Sequence, residues 1–250
     1  MKLTQFLVGG VAAVVVLVSI AIGGWWFFIR EDAQLATNAP SIPADLKTAV
    51  GTKPAGATPG AGTASSTGSG ALTFKILSDR SEAAYFADEK LASLPLPSKT
   101  KGSTKDITGQ FQLTADGFDL DASQPTTFTV NLTTLASDKS RRDATVQNQG
   151  LETSKFPTAT FTATKVTGFD KTLPADQEQT LQLSGTLDLH GVKKDVVWDV
   201  KAKRDGNIIT ALATLKFNFA AFSITVPNIA NFVSVQDAVT LQVQVVAQSS

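Results

Sequence analysis

Alternation of apolar and polar side chains constrains the fold of this 250-residue chain more than any other feature. It is clearest where Val239, Leu241, Val243 and Val245 alternate with threonine and glutamine. A period of two places apolar side chains on one face of a β-strand and polar side chains on the other. Comparable runs predict about eight strands, a number typical of an antiparallel sandwich or barrel. These runs lie at 74–76, 107–113, 128–132, 160–164, 181–189, 196–201 and 211–219.

Glycine-containing turns between three of these runs predict two consecutive hairpins. His190-Gly191 separates 181–189 from 196–201, and Asp205-Gly206 separates the latter from 208–219. Glycine supplies the positive φ that tight hairpin turns require. Two segments break the strand pattern. Ser81 to Leu91 is compatible with a helical turn or a bent strand, and Arg141 to Glu152 predicts a short helix that ends at Gly150.

A long apolar run near the amino terminus predicts a membrane anchor. Leu7 to Ile29 contains one polar side chain, Ser19, and as a helix it would be ~35 Å long, enough to cross a bilayer. A cleaved signal peptide should have a shorter apolar core and a nearby cleavage site. We therefore expect residues 1–6 to be cytoplasmic, residues 7–29 to be a single-pass anchor in a bacterial cell membrane, and the carboxyl side to be extracytoplasmic.

The segment that follows the predicted anchor has the composition of a linker. Residues 30–70 consist mainly of Ala, Gly, Pro, Ser and Thr, which cannot bury a core. A flexible chain of this length has a root-mean-square reach of ~35 Å. The sequence therefore predicts a flexible tether over 30–70 and a folded domain over 71–250.

Composition excludes several classes of function. Lys plus Arg and Asp plus Glu number 22 each, so no field of one sign is available to bind nucleic acid. There is no cysteine, and His190 is the only histidine, so neither a thiolate or histidine metal cluster nor a Ser-His-Asp arrangement is expected. His190 lies at a predicted turn, where a ring that bonds local backbone is the expected role. We expect no enzyme and no cofactor.

Four motifs follow one another across 71–250 in the order of a known family. They are Ser81-Glu-Ala-Ala-Tyr85 with Glu89, Leu135-Ala-Ser-Asp138 with Arg142-Asp143, Phe156-Pro157-Thr-Ala-Thr-Phe161, and Ser184-Gly185-Thr-Leu-Asp-Leu-His190-Gly191-Val192. In this respect the chain resembles the YceI-like domain family. The resemblance implies an eight-stranded antiparallel barrel of lipocalin type, with a tunnel that in relatives holds a polyisoprenoid chain, and it implies no catalytic residues.

Aromatic side chains are the candidate ligand contacts of such a tunnel. A barrel of eight strands has room either for its own side chains or for one slender ligand. Both alternatives remain open here, because the same rings could fill a packed core. The candidates are Tyr85, Phe111, Phe128, Phe161, Trp198, Phe217, Phe219 and Phe222.

Charged residues near the candidate tunnel allow two interpretations. Tyr85 with Glu89 could contact a lipid headgroup at the barrel mouth. Asp138, Arg142 and Asp143 are more typical of an ion-pair network that fixes the segment 141–152. Lys201 is expected to face outward, between Val200 and Ala202.

The sequence therefore predicts an all-β, membrane-anchored lipid-binding module. Its expected partners are the membrane and an apolar ligand, with a polyisoprenoid or an isoprenoid quinone as the candidates, and the barrel is expected as a monomer or homodimer. The alternative is a barrel with a dry core that acts as an interaction domain in the cell envelope.

Overall fold

A computed structural model describes residues 33–48, 72–91, 98–114, 119–121, 123–170, 172–174, 176–226, 228–229 and 233–249. The predicted anchor at 7–29 and most of the predicted linker lie outside these residues. None of the helices in the described ranges combines the length and the apolar character that a membrane crossing needs.

Strands dominate the described residues and form one antiparallel sheet. Their bounds are β1 Leu72–Ile76, β2 Glu82–Leu91, β3 Ser98–Thr104, β4 Ile107–Leu113, β5 Thr126–Asn131, β6 Thr158–Thr167, β7 Gln179–Leu189, β8 Val192–Asp205, β9 Ile208–Phe217, β10 Asn228–Ile229 and β11 Val233–Ser249. Two short α-helices accompany them, α1 Ala44–Thr48 and α2 Ser140–Thr145. Single helical turns occupy Ser78–Arg80, Leu132–Thr134 and Phe219–Phe222, and α2 continues into a π-helical turn at Val146–Gly150.

The sheet closes on itself as a barrel of eight antiparallel positions. The strand β1 closes it, because Leu72 to Lys75 pair with β4 while Phe74 to Ile76 pair with β11. Strands β1 and β2 pair one after the other with the same edge of β11, so together they fill one position of the barrel. Strands β3 and β4 pair with β2 and β1, respectively, and together fill the next position. The barrel that the sequence resemblance implies is thus confirmed, with the short helix α2.

The predicted hairpins are confirmed, and one ambiguous segment is settled. Strand β7 pairs with β8 and β8 with β9, through turns in which His190, Gly191 and Gly206 have positive φ. The segment Ser81 to Leu91 forms strand β2 apart from its first residue. The predicted helix at 141–152 starts at Ser140 and becomes a π-helical turn that ends at Gly150.

The barrel has two ends that differ in what surrounds them. At one end, which we call the α2 end, β2 leads towards β3 and Arg142 of α2 bonds Glu89 of β2. At the other, which we call the β8–β9 end, β8 turns into β9 after Asp205 and β7 begins at Gln179.

Residues 33–48 pack along the outside of the barrel, and we call them the strap. Gln242 of β11 bonds both backbone polar groups of one strap residue: the N–H of Ala36 donates to Oε1, and Nε2 donates to the Ala36 carbonyl, each at 2.9 Å. Lys201 donates to the carbonyl of Thr37 (2.6 Å), and the N–H of Ala39 donates to Glu178 (2.7 Å). This part of the chain therefore differs from the free tether predicted over 30–70, and Lys201, although on the outer face, has a partner there.

Candidate functional site

A cavity of about 1320 Å³ occupies the interior of the barrel. Some strands line it with every second residue, such as Leu181 and Leu183 of β7 and Leu241, Val243 and Val245 of β11, whereas β2 and β3 also contribute consecutive residues. It reaches Glu89 and Arg142 at the α2 end and Gln179 and Arg204 at the β8–β9 end. The described barrel is therefore hollow along its length, and its walls are mainly apolar.

Seven of the eight aromatic candidates line this cavity, namely Tyr85, Phe111, Phe128, Phe161, Trp198, Phe217 and Phe219. The eighth, Phe222, is 1% exposed and packs edge-on against Phe217, with 4.9 Å between the ring centroids. Phe222 therefore does not line the cavity. It packs behind Phe217, which does.

Four of the lining rings form a continuous aromatic row that starts on the adjacent strands β4, β5 and β6 and reaches past β7 to β8. The centroid distances are 6.2 Å from Phe111 to Phe128, 6.4 Å from Phe128 to Phe161, and 5.9 Å from Phe161 to Trp198. Phe74 of β1 extends the row by stacking on Phe111 at 5.3 Å. Ring pairs at such distances stabilise one another beyond their burial, so the row gives this wall of the cavity a fixed shape.

Two glycines leave room for rings that lie flat against the wall. A Cβ atom at Gly102 of β3 would lie 2.3 Å from Cε1 of Tyr85, its cross-strand partner. A Cβ atom at Gly109 of β4 would lie 2.8 Å from Cδ1 of Phe128. Any side chain at these positions would push the ring inward, so glycine here preserves the width of the cavity.

Tyr85 brings a phenol into an apolar environment. Burial raises the pKa of Tyr85 to about 12, although the nearby Arg142 acts in the opposite direction. The side chain therefore stays neutral across the physiological range, and its hydroxyl can donate one hydrogen bond and accept others.

An ion-pair network fixes α2 over the barrel. Arg142 donates to both carboxylate oxygens of Glu89, at 2.8 and 3.1 Å, and it also bonds Asp138 and Ser137. Burial lowers the pKa of Arg142, but the bonds to Glu89 and Asp138 outweigh this effect and raise it. Asp143 accepts from both the backbone N–H and the hydroxyl of Ser137. The cluster thus ties α2 to β2 and fixes the start of the segment 141–152, as the ion-pair interpretation predicted, and Glu89 and Arg142 also border the cavity.

His190 lies outside the cavity lining and has a local role. Its Nδ1 lies 3.2 Å from the carbonyl oxygen of Phe222, its Nε2 lies 3.2 Å from Glu152, and its ring meets Phe156 edge-on. The predicted turn position is confirmed, but the backbone carbonyl beside the ring belongs to Phe222, 32 positions along the chain, and not to the turn itself. Within the described ranges, no group of three or more His, Cys, Asp or Glu side chains could hold a metal ion.

Aliphatic residues make up much of the lining that the aromatic candidates omit. Leu181, Leu183, Ala211, Ala213 and Leu241 all face the cavity. The alternating runs could have identified them, because every second residue of a strand lies on the same face. Ala211 and Ala213, for example, are on the same face of β9 as Phe217.

Known proteins give a consistent match to this architecture. The family model described as YceI-like domain matches residues 74–247. BcnA of Burkholderia cenocepacia is 18% identical with a TM-score of 0.53, covering 69% of this chain and 99% of its own. A polyisoprenoid binding domain from Saccharophagus degradans, implicated in plant cell wall breakdown, is 16% identical with a TM-score of 0.57, covering 72% and 99%. At these identities the two structures show the fold. No curated protein sequence matches the chain.

Proposed function

The chain belongs to the YceI-like domain family, and from this premise we propose that it is a membrane-anchored, extracytoplasmic module that binds a polyisoprenoid-like lipid in the barrel. The module sequesters the lipid or transfers it. It holds its ligand by burial and carries out no chemistry on it.

The observation that carries this proposal is the hollow interior. A cavity of about 1320 Å³ is larger than the ~300–1,000 Å³ of common small-molecule pockets, and it extends from one end of the barrel to the other. That shape suits one long, slender molecule. The alternative of a dry-core interaction domain requires side chains that fill the interior, which does not agree with this cavity.

Apolar burial supplies enough affinity without any charged contact. Each CH₂ group that leaves water contributes ~0.8 kcal/mol, so a chain of several isoprenoid units gains far more than the cost of immobilising it. Polar groups sit at the α2 end, where Tyr85, Glu89 and Arg142 border the cavity. A lipid headgroup at this end would contact the neutral phenol of Tyr85 and the guanidinium of Arg142, whose charge is already paired with Glu89.

The chemical class of the ligand is supported by a structural relative. The domain from Saccharophagus degradans, which shares this fold, is described as polyisoprenoid binding. An isoprenoid quinone would pack against the same apolar lining, because its tail is the same kind of branched hydrocarbon. The location at a membrane is supported by the apolar run from Leu7 to Ile29.

The test is organic extraction of the purified full-length protein, followed by mass spectrometry of the extract. Because any protein with a membrane anchor carries lipid around it, the extraction needs a variant with a blocked cavity. Ala213 of β9 lines the cavity, so Ala213→Trp should fill part of it. Val197 of β8 is 50% exposed on the outer face, and Val197→Trp adds the same ring outside.

We expect one lipid class to copurify with the native chain and with Val197→Trp, and to be depleted from Ala213→Trp. Circular dichroism should show β-structure in all three proteins. Equal amounts of every lipid in the two tryptophan variants, with both of them folded, would mean that the cavity binds none of them.

A further inference from the structure

We infer that the strap turns the α2 end of the barrel towards the bilayer, so that the cavity opens directly onto the lipid surface from which its ligand comes. This inference rests on the proposed function and on the predicted anchor. The occupant of the opening is a phospholipid surface.

The first step of the argument is the direction in which the strap runs. At the start of the strap, the N–H of Ala33 donates to the carbonyl of Lys99 at 3.1 Å. Lys99 is the second residue of β3 and therefore lies at the α2 end. At its finish, α1 lies at the opposite end, where Lys47 pairs with Asp205 in the β8–β9 turn at 2.8 Å. The strap thus crosses the barrel from one end to the other.

The second step is that the start of the strap borders the cavity at the α2 end, whose edge we call the rim. Ala33 and Gln34 line the cavity together with Glu89, Lys139 and Arg142. The chain before Ala33 is therefore joined to the barrel at this rim.

The third step is the length of chain available before the predicted anchor. Only Arg30, Glu31 and Asp32 separate Ile29 from Ala33. Even a fully extended chain gains at most ~3.6 Å per residue, so Ile29 lies within ~14 Å of Ala33. A bilayer surface at Ile29 is then within reach of the rim but far from the β8–β9 end.

The part of the predicted linker that follows the strap adds no length to the connection between the predicted anchor and Ala33. Residues 49–71 follow the strap, so they join α1 to β1, and both neighbours lie at the β8–β9 end. The low-complexity stretch therefore adds no length between the predicted anchor and the strap.

An opening that faces the bilayer gives the lipid a path that avoids water. The chain of a polyisoprenoid could pass from the hydrocarbon core into the cavity through the rim, with its apolar surface covered throughout. Arg141, which is exposed on α2 and also lines the opening, would then sit at the level of the lipid headgroups.

The experiment uses the complete absence of cysteine in the chain. Arg141→Cys at the rim and Gln177→Cys, which is exposed in the loop before β7 at the β8–β9 end, are each labelled with one fluorophore. The full chain is placed in phosphatidylcholine nanodiscs that contain nitroxide-labelled lipid. We expect the lipid nitroxide to quench the probe at position 141 several-fold more strongly than the probe at position 177.

Two insertions show whether the strap sets this orientation. A flexible Gly/Ser segment of ~20 residues adds a mean reach of ~25 Å. Placed between Asp32 and Ala33, it should remove most of the difference between the probes. Placed between Gly60 and Ala61, it should leave the difference unchanged.

Equal quenching at the two positions, stronger quenching at position 177, or no quenching at either would overturn the inference. So would an effect of the second insertion as large as that of the first. None of these results touches the proposed lipid binding, which is decided by the extraction from Ala213→Trp and Val197→Trp.

Discussion

Tyr85 is the residue whose chemistry the fold changes most. Its ring lies flat over Gly102 on the neighbouring strand, and its phenol faces an apolar cavity beside Arg142. The environment penalises the phenolate, because an anion loses its hydration there. The residue therefore reports on the polarity of the α2 end of the cavity.

Titration of Tyr85 should show this directly, since it is the only tyrosine in the chain. We expect the phenolate absorbance to appear with a midpoint near the pKa of about 12, above the ordinary tyrosine pKa of 10.0. The unfolded chain loses this proton first, so the contribution of Tyr85 to stability is complete below about pH 10 and is lost as the pH rises towards 12. A midpoint near 10 in the folded protein would show that water reaches the phenol freely.

Phe219 and Phe222 offer a contrast between a lining residue and a packing residue. Phe219 lines the cavity, whereas Phe222 is buried against Phe217. We expect Phe222→Ala to lower the free energy of unfolding by ~3–5 kcal/mol, because it leaves a void in packed surroundings. Phe219→Ala should cost less stability and should reduce the amount of bound lipid. The thermal midpoint and the amount of extracted lipid are measured for both variants. Equal losses of stability and of lipid in the two variants would contradict this distinction.

At the scale of elements, the strands were predictable and the strap was not. Alternation marks a strand locally, so the runs at 181–189, 196–201 and 239–245 all lie within observed strands. The strap bonds the barrel through backbone groups, such as those of Ala36 and Thr37, which every residue type carries. No side-chain pattern encodes such contacts, and the composition of 33–48 suggested only a linker.

The aromatic candidates show where the strand pattern stops being informative. Parity placed Phe111, Phe128 and Phe217 on the inner face, where they are found. Strand β9 ends at Phe217, and Phe219–Phe222 form a helical turn, so a period of two no longer holds. That change of backbone explains why Phe222 packs behind Phe217 although the sequence grouped it with the lining residues.

Gln242 should be the residue that most firmly holds the strap in place. It is 4% exposed, and its amide satisfies both the N–H and the carbonyl of Ala36. Gln242→Ala leaves these two groups without their partner, so we expect a loss of ~1–3 kcal/mol and faster proteolysis within 33–48. Gln244→Ala, on the same face of β11, is the control and should change neither. Equal proteolysis rates in the two variants would show that other contacts hold the strap.

At the scale of the whole molecule, the barrel joins two properties that usually compete. Its walls are ordered by a closed ladder of hydrogen bonds, yet its interior is not filled. A packed core would stabilise the barrel through contacts between its own side chains. Here part of that apolar surface faces the cavity, so a lipid that binds there should raise the thermal midpoint, and a tighter-binding lipid should raise it further.

The length of the cavity should set the length of hydrocarbon that the protein prefers. Strand β8 has 14 residues, and at ~3.3 Å per residue and a tilt of ~40° a strand of this size spans ~35 Å of barrel axis. Affinity should therefore rise with the chain length of competing prenyl alcohols, by up to about fourfold for each CH₂ that is buried. It should stop rising once the hydrocarbon is longer than the cavity. Displacement of a fluorescent lipid from the purified protein measures both the slope and the plateau.

The blocked variant makes the origin of this plateau testable. In Ala213→Trp the indole shortens the usable cavity, so affinity should stop rising at a shorter chain, while Val197→Trp should follow the native curve. The slope below the plateau should be the same in all three proteins, because each buried CH₂ meets the same kind of wall. If affinity were independent of chain length in the native protein, the hydrocarbon would not lie along the barrel axis, and the ligand would have to be held at the rim alone.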